Sequence, residues 1–397
     1  MVKIAIVSGL YAPYMRGGAE RTIQRLASGM QQRGHEVRVF TTGPIDTIED
    51  VNGISVSRVR FSNIYWHFRI EFPSKLARLV WYFRDRSIPP INRKFDGFLK
   101  DYAPDIVSFH NVAGLGKDIW KIAKMNGAKS IQVLHDLYLV CPNSSKFKNG
   151  KTCEIRCKSC ALLRYGYKED SRYVDAVVGI SKSTLDEVSR YALFPHSEKR
   201  VINNAQQITV DKYTRSYEKR AAELTLGFIG SLTRPKGILW LLENLPSDLK
   251  LLVAGAGDPE FVDELRRAAS GKRVEFLGEV RSAKFYNLVD IVIIPSLWNE
   301  PLGGVAIEAA AYSKPVVASR RGGLPEVVQH GKNGLLFDPD SVGEFLSALE
   351  TLKSDDSVRS LMSSNGPEVA RHFLSMSRFL DEYEDLYATL MRFDDRS

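Results

Sequence analysis

Asp290-Ile-Val-Ile-Ile-Pro295, followed by Glu300-Pro-Leu-Gly-Gly-Val-Ala-Ile-Glu308, reads as an apolar strand, a Pro/Gly loop and the opening of a helix. A wholly apolar run of this length suits a strand covered on both faces, as in a parallel sheet. The helix begins at Gly303-Gly304. Its first backbone N–H groups lack intrahelical partners and sit at the positive dipole end, so the loop suits an anion. Glu300 and Glu308 flank that point and can accept hydrogen bonds from a ligand's hydroxyls. A phosphate and hydroxyls on one ligand indicate a nucleotide sugar. The rival reading is a glycosidase acid/base pair, whose carboxyls face each other about 5–9.5 Å apart. Eight helical residues would span roughly 12 Å, and part of this span is loop, so the spacing argues only mildly against it.

The same strand–turn–helix unit recurs along the chain. In the first half, strands fall at Lys3–Ser8, Val37–Thr42, Ile54–Val59, Asp105–Phe109, Ser130–Leu134 and Ala176–Gly179, with helical patterns near 18–33, 74–101, 114–126 and 182–192. In the second, strands fall at Leu224–Ile229, Lys250–Ala254, Arg273–Leu277, Ile291–Ile294 and Pro315–Ala318, with later helices near 341–353 and 357–372. Such alternation predicts an α/β protein of two doubly wound, Rossmann-like domains whose ligand sites face a shared cleft at the strands' carboxyl ends. The polar stretch 203–222 reads as the linker. At 377–391, Phe379, Leu380, Tyr383, Leu386, Tyr387 and Leu390 form a helical stripe that needs a surface to cover it.

At 397 residues, with 44% hydrophobic and 26% charged residues, the chain has the composition of a soluble globular protein with two cores. It carries neither a bilayer-length apolar run nor a signal-peptide pattern, so a cytoplasmic location is expected. The net charge of +8 is unevenly spread: residues 1–200 hold 32 Lys+Arg against 19 Asp+Glu. Much of that excess lies in 58–100, where Trp66, Trp81, Tyr82 and Phe83 stand among Arg69, Lys75, Arg78, Arg84 and Arg86. This segment suits contact with an anionic membrane or acceptor, binding of nucleic acid, or a helix with core aromatics and solvated arginines.

Three further glycine turns carry chemistry. Gly17-Gly18 opens a helix after the first strand, where backbone can approach a phosphate or sugar. It is not the Gly-x-Gly-x-x-Gly pattern of a hydride-transfer cofactor. Gly227-Phe-Ile-Gly-Ser-Leu-Thr-Arg-Pro-Lys-Gly237 takes a strand into a loop with Arg234 and Lys236, two cations placed for a diphosphate. Ala254-Gly-Ala-Gly257 follows the next strand and suits a flat base or ribose.

Together with Arg33-Gly-His-Glu-Val37, His135-Asp136, Lys314-Pro-Val-Val-Ala-Ser319, Gly322-Gly-Leu-Pro-Glu326 and Asn333-Gly334, these motifs give the chain its resemblance. It resembles the retaining, GT-B-type glycosyltransferases of family 4 over nearly its whole length. The resemblance implies that Glu308 binds the nucleotide's ribose and Glu300 the donor sugar. It implies that Lys236 holds the diphosphate with backbone around Gly303 and Gly304, and that Gly17-Gly18 closes over it. By the same resemblance His135 would lie beside the donor sugar. The implied domains are 1–207 for the acceptor, 208–376 for the donor, and a terminal helix, 377–397, packing back on the first. The resemblance further implies a UDP- or GDP-sugar donor, a glycan or lipid-linked glycan acceptor, and no need for a catalytic metal. One position departs: the family usually has Arg after the glycine at 230, where this chain has Ser231, with Arg234 three residues on. A non-hydrolysing nucleotide-sugar epimerase shares the architecture but lacks these paired motifs. A zinc-knuckle nucleic-acid-binding or scaffold protein is the non-enzymatic alternative.

Cys141, Cys153, Cys157 and Cys160 all fall within twenty residues, in a polar, Lys-rich stretch after His135-Asp136. The closing Cys-x2-Cys resembles a zinc knuckle, and a four-thiolate structural zinc would give the segment a core. Disulfides, redox pairs or plain thiols are the alternatives.

Overall fold

Short runs of Val, Ile and Leu set the scaffold, because each is apolar on both faces and is buried only inside a parallel sheet. The computed structural model describes residues 1–68, 73–208 and 224–392. Arg69 and most of the expected linker 203–222 lie outside the described residues. The chain forms two units. The first comprises Met1–Ser144, Ile155–Asn204 and the chain from Ser377; the second comprises Ser145–Glu154 and Ala205–Met376.

The first unit runs β1 (Lys3–Ser8), α1 (Gly18–Gln32), β2 (Glu36–Gly43), β3 (Thr47–Val51), β4 (Ile54–Arg60), α2 (Lys75–Arg84), α3 (Pro89–Tyr102), β5 (Ile106–Phe109), α4 (Asp118–Met125) and β6 (Lys129–Leu134). A small hairpin, β7 (Phe147–Lys148) and β8 (Lys151–Thr152), belongs to the second unit. The first unit then continues with α5 (Lys158–Leu163), α6 (Tyr167–Asp170), β9 (Ala176–Gly179), α7 (Lys182–Ser189) and β10 (Glu198–Val201). Its sheet has the order β10-β9-β6-β5-β1-β2-β4-β3, parallel except for the edge strand β3. β1 pairs with β2 on one side and β5 on the other, Ile4 opposite Val37 and Ile106. That reversal of strand order opens a crevice beyond Ser8. Val7, Phe109, Trp120, Leu134 and Val177 lie in its core.

The second unit runs β11 (Thr225–Ile229), α8 (Ile238–Asn244), β12 (Lys250–Ala254), α9 (Pro259–Ala268), β13 (Val274–Gly278), α10 (Ser282–Tyr286), β14 (Ile291–Ile294), α11 (Gly304–Ala311), β15 (Val316–Ser319), α12 (Leu324–Val327), β16 (Gly334–Phe337), α13 (Val342–Ser354) and α14 (Asp356–Leu374). All six strands of its main sheet are parallel, in the order β13-β12-β11-β14-β15-β16. This is the doubly wound order 3-2-1-4-5-6, with its switch point between β11 and β14. Two Rossmann-like α/β units are therefore present, as the strand–helix alternation predicts.

Local chemistry explains where the elements depart from the sequence pattern. The helix expected over 74–101 is two helices, because Pro89-Pro90 occupies the first turn of α3 and cannot continue a helix from α2. Among the unforeseen strands, the sheet edges β3 and β10 have polar sequences, Thr-Ile-Glu-Asp-Val and Glu-Lys-Arg-Val, which carry no buried-strand signal, whereas the edge strand β16, Gly-Leu-Leu-Phe, is apolar but only four residues long. Among the described residues no helix is long and apolar enough to cross a membrane.

The last helix, α15 (Met376–Arg392), buries Phe379, Leu380, Tyr383, Leu386, Tyr387 and Leu390. From Ser377 onward it groups with the first unit. Leu380 fills the space above Gly29 of α1, where a side chain at 29 would stand 2.7 Å from its methyls. Arg33 ion-pairs with Asp381 at 2.7 Å and with Glu384, and His35 meets Glu384 at 2.9 Å. Burial should outweigh the exposed charges here. Leu380→Ala is expected to cost about 2–5 kcal/mol, and Asp381→Ala under about 1 kcal/mol, in urea unfolding followed by circular dichroism. Equal losses would contradict this ranking.

Candidate functional site

At the switch point of the second unit, three loops leave the strand ends and are stitched together by backbone. Leu297 N donates to Pro235 O at 2.8 Å, joining the loop after β14 to the loop after β11. Gly237, at φ +73°, makes that approach possible: a Cβ there would stand 1.8 Å from Pro295 O. The third loop, after β15, brings Gly322-Gly323 against Glu300, and Gly323 N donates to Glu300 O at 2.7 Å. A Cβ at Gly322 would stand 2.2 Å from the same carbonyl oxygen. The hairpin joins this region through Thr152 Oγ1, which donates to Leu297 O at 2.8 Å.

These loops bring Lys236 and Glu300 together. Lys236 Nζ lies 2.7 Å from Glu300 Oε1, which also accepts from Ser296 Oγ at 2.6 Å. Glu300 and Ser296 are buried, and the ammonium lies 5.5 Å from the centre of the Trp298 ring. The pair is a built constellation: a cation held at the mouth, a carboxylate fixed by a buried hydroxyl beneath it.

Gly303 caps α11 in the left-handed conformation, φ +95°, and Gly304 begins the helix. A Cβ at Gly303 would press on Leu324 at 2.8 Å, so glycine is required for both torsion and space. Glu308 lies on the second turn of α11. Its Oε2 accepts from Ser282 Oγ at 3.0 Å and from Tyr286 OH at 3.3 Å, both on α10. Burial, then the Glu308 charge, holds the Tyr286 phenol well above its usual range, so it remains a donor. Glu300 and Glu308 thus rest on different partners and have separate surroundings.

Arg234 is directed elsewhere. Its guanidinium pairs with Glu264 of α9 at 2.6 Å and stacks 4.7 Å from the Phe261 ring centre. The structure does not bring Arg234 and Lys236 onto one partner, and Ser231 is exposed. The Gly255–Gly257 turn meets a steric need first: a Cβ at Gly255 would stand 1.8 Å from Gly230 O, and one at Gly257 2.3 Å from Leu232 O. Beside that turn is a cavity of about 330 Å³, lined among others by Leu232, Gly255, Gly257, Arg266, Phe276 and Gly278.

In the first unit, Gly17 caps α1 and its N–H donates to Glu20 Oε2 at 2.9 Å. Gly17 and Gly18 are exposed, and a Cβ at Gly18 would meet nothing within 4 Å. Packing within the chain does not require glycine there. His135 is buried at the end of β6, with Nε2 2.9 Å from His110 Nδ1 and His110 Nε2 3.1 Å from Ser108 Oγ. Its Nδ1 has no partner among the described residues. Burial pushes His135 down to about 4, and burial with the neighbouring ring holds His110 well below the usual imidazole range. Burial also raises Asp136 to about 6. His110, Ser296, Ser282 and Tyr286 were not singled out from sequence. Only Ser282 and Tyr286 left a trace, as polar residues four apart on one helical turn.

The expected four-thiolate zinc site is not found: among the described residues no group of three or more His, Cys, Asp or Glu side chains could hold a metal ion. Cys157 Sγ lies 3.1 Å from Cys160 Sγ, too near for a shared tetrahedral metal between them. Cys153 falls in the second unit, where its N–H donates to Lys146 O at 2.6 Å, whereas Cys141, Cys157 and Cys160 belong to the first. Burial, followed by the Cys157 and Cys141 thiols, raises Cys160 above its ordinary value.

Comparison with known proteins agrees with this fold. Residues 16–206 match the model described as Glycosyltransferase Family 4, and residues 223–355 that of Glycosyl transferases group 1. An uncharacterized 42.6 kDa protein in the cps region of Klebsiella pneumoniae is 32% identical over 331 residues, 82% of this chain and 87% of that protein. Sucrose-phosphate synthase from Thermosynechococcus elongatus superposes with a TM-score of 0.75 at 20% identity, covering 98% of this chain and 99% of that one. Anabaena Alr3699/HepE, solved in complex with UDP-glucose, superposes with a TM-score of 0.64 at 20% identity, covering 98% and 100%. The chain belongs to the group 1, family 4 glycosyltransferases, built on the GT-B plan of two Rossmann-like units.

Proposed function

We propose that the protein is a retaining hexosyltransferase, taking its sugar from a UDP- or GDP-sugar and passing it to a glycan or lipid-linked acceptor. The role is in cell-surface polysaccharide synthesis, at the inner face of a membrane. The observation that carries the donor reading is the buried Glu300 carboxylate paired with Lys236 beside the N-terminus of α11. That grouping offers an acceptor for sugar hydroxyls, a cation for a diphosphate and open backbone N–H groups within one loop cluster. A solved protein of the same fold holding UDP-glucose supports the nucleotide-sugar assignment.

In this reading the second unit binds the donor and the first the acceptor. Glu308 takes the ribose hydroxyls, its orientation fixed by Ser282 and Tyr286. Arriving diphosphate replaces Glu300 as the partner of Lys236, and Glu300 turns its acceptor capacity to the sugar. The bond between the anomeric carbon and the diphosphate oxygen breaks as charge builds on the leaving group, which Lys236 and the helix end stabilise. The acceptor hydroxyl bonds to the anomeric carbon from the same face, and its proton passes to the departing phosphate oxygen. No step is assigned to a metal. Arg234 contributes to phosphate only by leaving Glu264, so Lys236 carries the larger share. Gly17-Gly18 would bring backbone to the diphosphate, the Gly17 N–H first leaving Glu20, and neutral His135 serves as a hydrogen-bonding neighbour of the sugar rather than a charged acid.

Lys236→Ala and Glu308→Ala should each lower kcat/KM for sugar transfer by about a hundredfold or more, with circular dichroism unchanged. Wild-type rates in both variants would sink the assignment. Gly237→Ala should instead destabilise the second unit by at least about 1–3 kcal/mol, read as a lowered urea midpoint, whereas Gly18→Ala should leave the midpoint within about 0.5 kcal/mol of wild type.

The buried histidine also sets a pH dependence. Burial pushes His135 down to about 4 in the folded chain, against about 6.5 for an ordinary imidazole, so the unfolded chain binds more protons between those values. Its contribution to stability is complete above 6.5 and is lost as pH falls toward 4. An NMR titration should show the His135 ring neutral from pH 8 to 5, and His135→Gln should flatten the acid limb of the stability profile. Native-state protonation near 6.5 would overturn this.

A further inference from the structure

Helix α2 is built the wrong way round for a helix that only faces water. Its inward side is settled. Trp81 is buried and its Nε1 donates to Tyr65 O at 2.9 Å, while Asp85, the C-cap, is buried and accepts from Gly114 N at 2.7 Å and from Tyr138 OH. Ser74 caps the other end, accepting from Ala77 N at 3.2 Å. The helix is therefore capped at its start and anchored to the first unit through Trp81 and Asp85.

Its outward side is apolar. Leu76, Leu79, Val80 and Phe83 are 71%, 52%, 40% and 58% exposed. Their spacing of i, i+3, i+4 and i+7 puts them on one stripe, roughly opposite Trp81. Single exposed leucines are unremarkable, but a contiguous stripe on a fixed helix marks a contact surface. Cations border it: at 100° per residue Lys75 falls on one side and Arg84 on the other, both exposed. Arg86 stacks 4.0 Å from the Phe83 ring centre. Beneath the helix, Arg164, just after α5, is buried with its guanidinium 5.3 Å from the Tyr82 ring centre, while Leu162 and Tyr165 on either side of it in sequence are exposed.

We infer that the outward face of α2 docks on an anionic lipid bilayer, with Leu76, Leu79, Val80 and Phe83 entering the acyl boundary and the flanking cations meeting phosphate headgroups. The charge decides the occupant. An apolar stripe between cations, on a half of the chain with 32 Lys+Arg against 19 Asp+Glu, is complementary to an anionic interface. A second copy would instead bring like charges together around the stripe. The inference deepens the lipid-linked acceptor reading, because a docked first unit would meet its acceptor at the membrane surface. Its test needs neither donor nor acceptor, so the two can fail separately.

The full chain would be sedimented with vesicles of phosphatidylcholine alone and with vesicles of equal parts phosphatidylcholine and phosphatidylglycerol. Wild type should pellet with the second and stay in solution with the first, and salt should weaken the binding. Leu79→Glu/Phe83→Glu should lower partitioning by about tenfold or more, with the urea midpoint and donor hydrolysis unchanged. Lys75→Glu/Arg84→Glu should weaken binding to the anionic vesicles in the same direction. Wild-type protein left in solution with both vesicles, or partitioning unaltered in the Leu79/Phe83 variant, would overturn the inference. So would a wild-type dimer in sedimentation velocity that this variant dissolves, which would assign the stripe to a second copy.

Discussion

The loop that carries Lys236 passes so close to the end of β14 that residue 237 has no room for a side chain. Gly237 meets Pro295, Gly255 meets Gly230 and Gly322 meets Glu300, each at a separation that any Cβ would violate. These three approaches draw the strand ends of the second unit into one loop cluster. Everything polar in the candidate donor site hangs from it. The glycines are required by the protein's own packing, before any ligand is considered.

The electrostatics follow from that cluster. Glu300 is buried, and a buried carboxylate needs partners; Ser296 and Lys236 supply them. Lys236 in turn sits at the mouth of the site with its charge already oriented. In the proposed donor reading, a diphosphate would find a cation fixed in place rather than one that must be recruited from solvent. Arg234, only two residues away, has a different fate because α9 offers it Glu264 and Phe261.

The first unit uses burial differently. His135 and His110 form a neutral ring pair in the interior, where desolvation outweighs any gain from carrying a proton. Arg33 and His35, whose motif marks the resemblance, are engaged in holding α15 through Glu384. A motif residue can thus be shared across a family for an architectural reason. The basic aromatic segment divides as well. Trp66 and Trp81 turn inward, while Phe83 and the leucines of α2 turn outward.

Much of the fold was legible because strand and helix periodicity is local: β1, β9, β12 and β14 fall where the apolar runs end, and the α15 stripe is the set of residues that α15 buries. Edge strands β3 and β10 were not, since a half-exposed edge needs no apolar pattern. The break between α2 and α3 was readable from Pro89-Pro90 but was masked by continuous helical periodicity. Of the candidate residues, Gly17-Gly18 in the first unit and Gly303-Gly304, Glu300, Glu308 and Lys236 in the second are marked by type and spacing along the chain. Their partners do not. Lys236 and Glu300 are 64 residues apart, and Glu308 and Ser282 are 26 apart. The sequence by itself determined the two Rossmann-like halves and named the candidate residues for a nucleotide-sugar site. Only the tertiary structure decided which cation faces which carboxylate and which aromatics face out, because those choices depend on contacts between chain segments that no local pattern encodes.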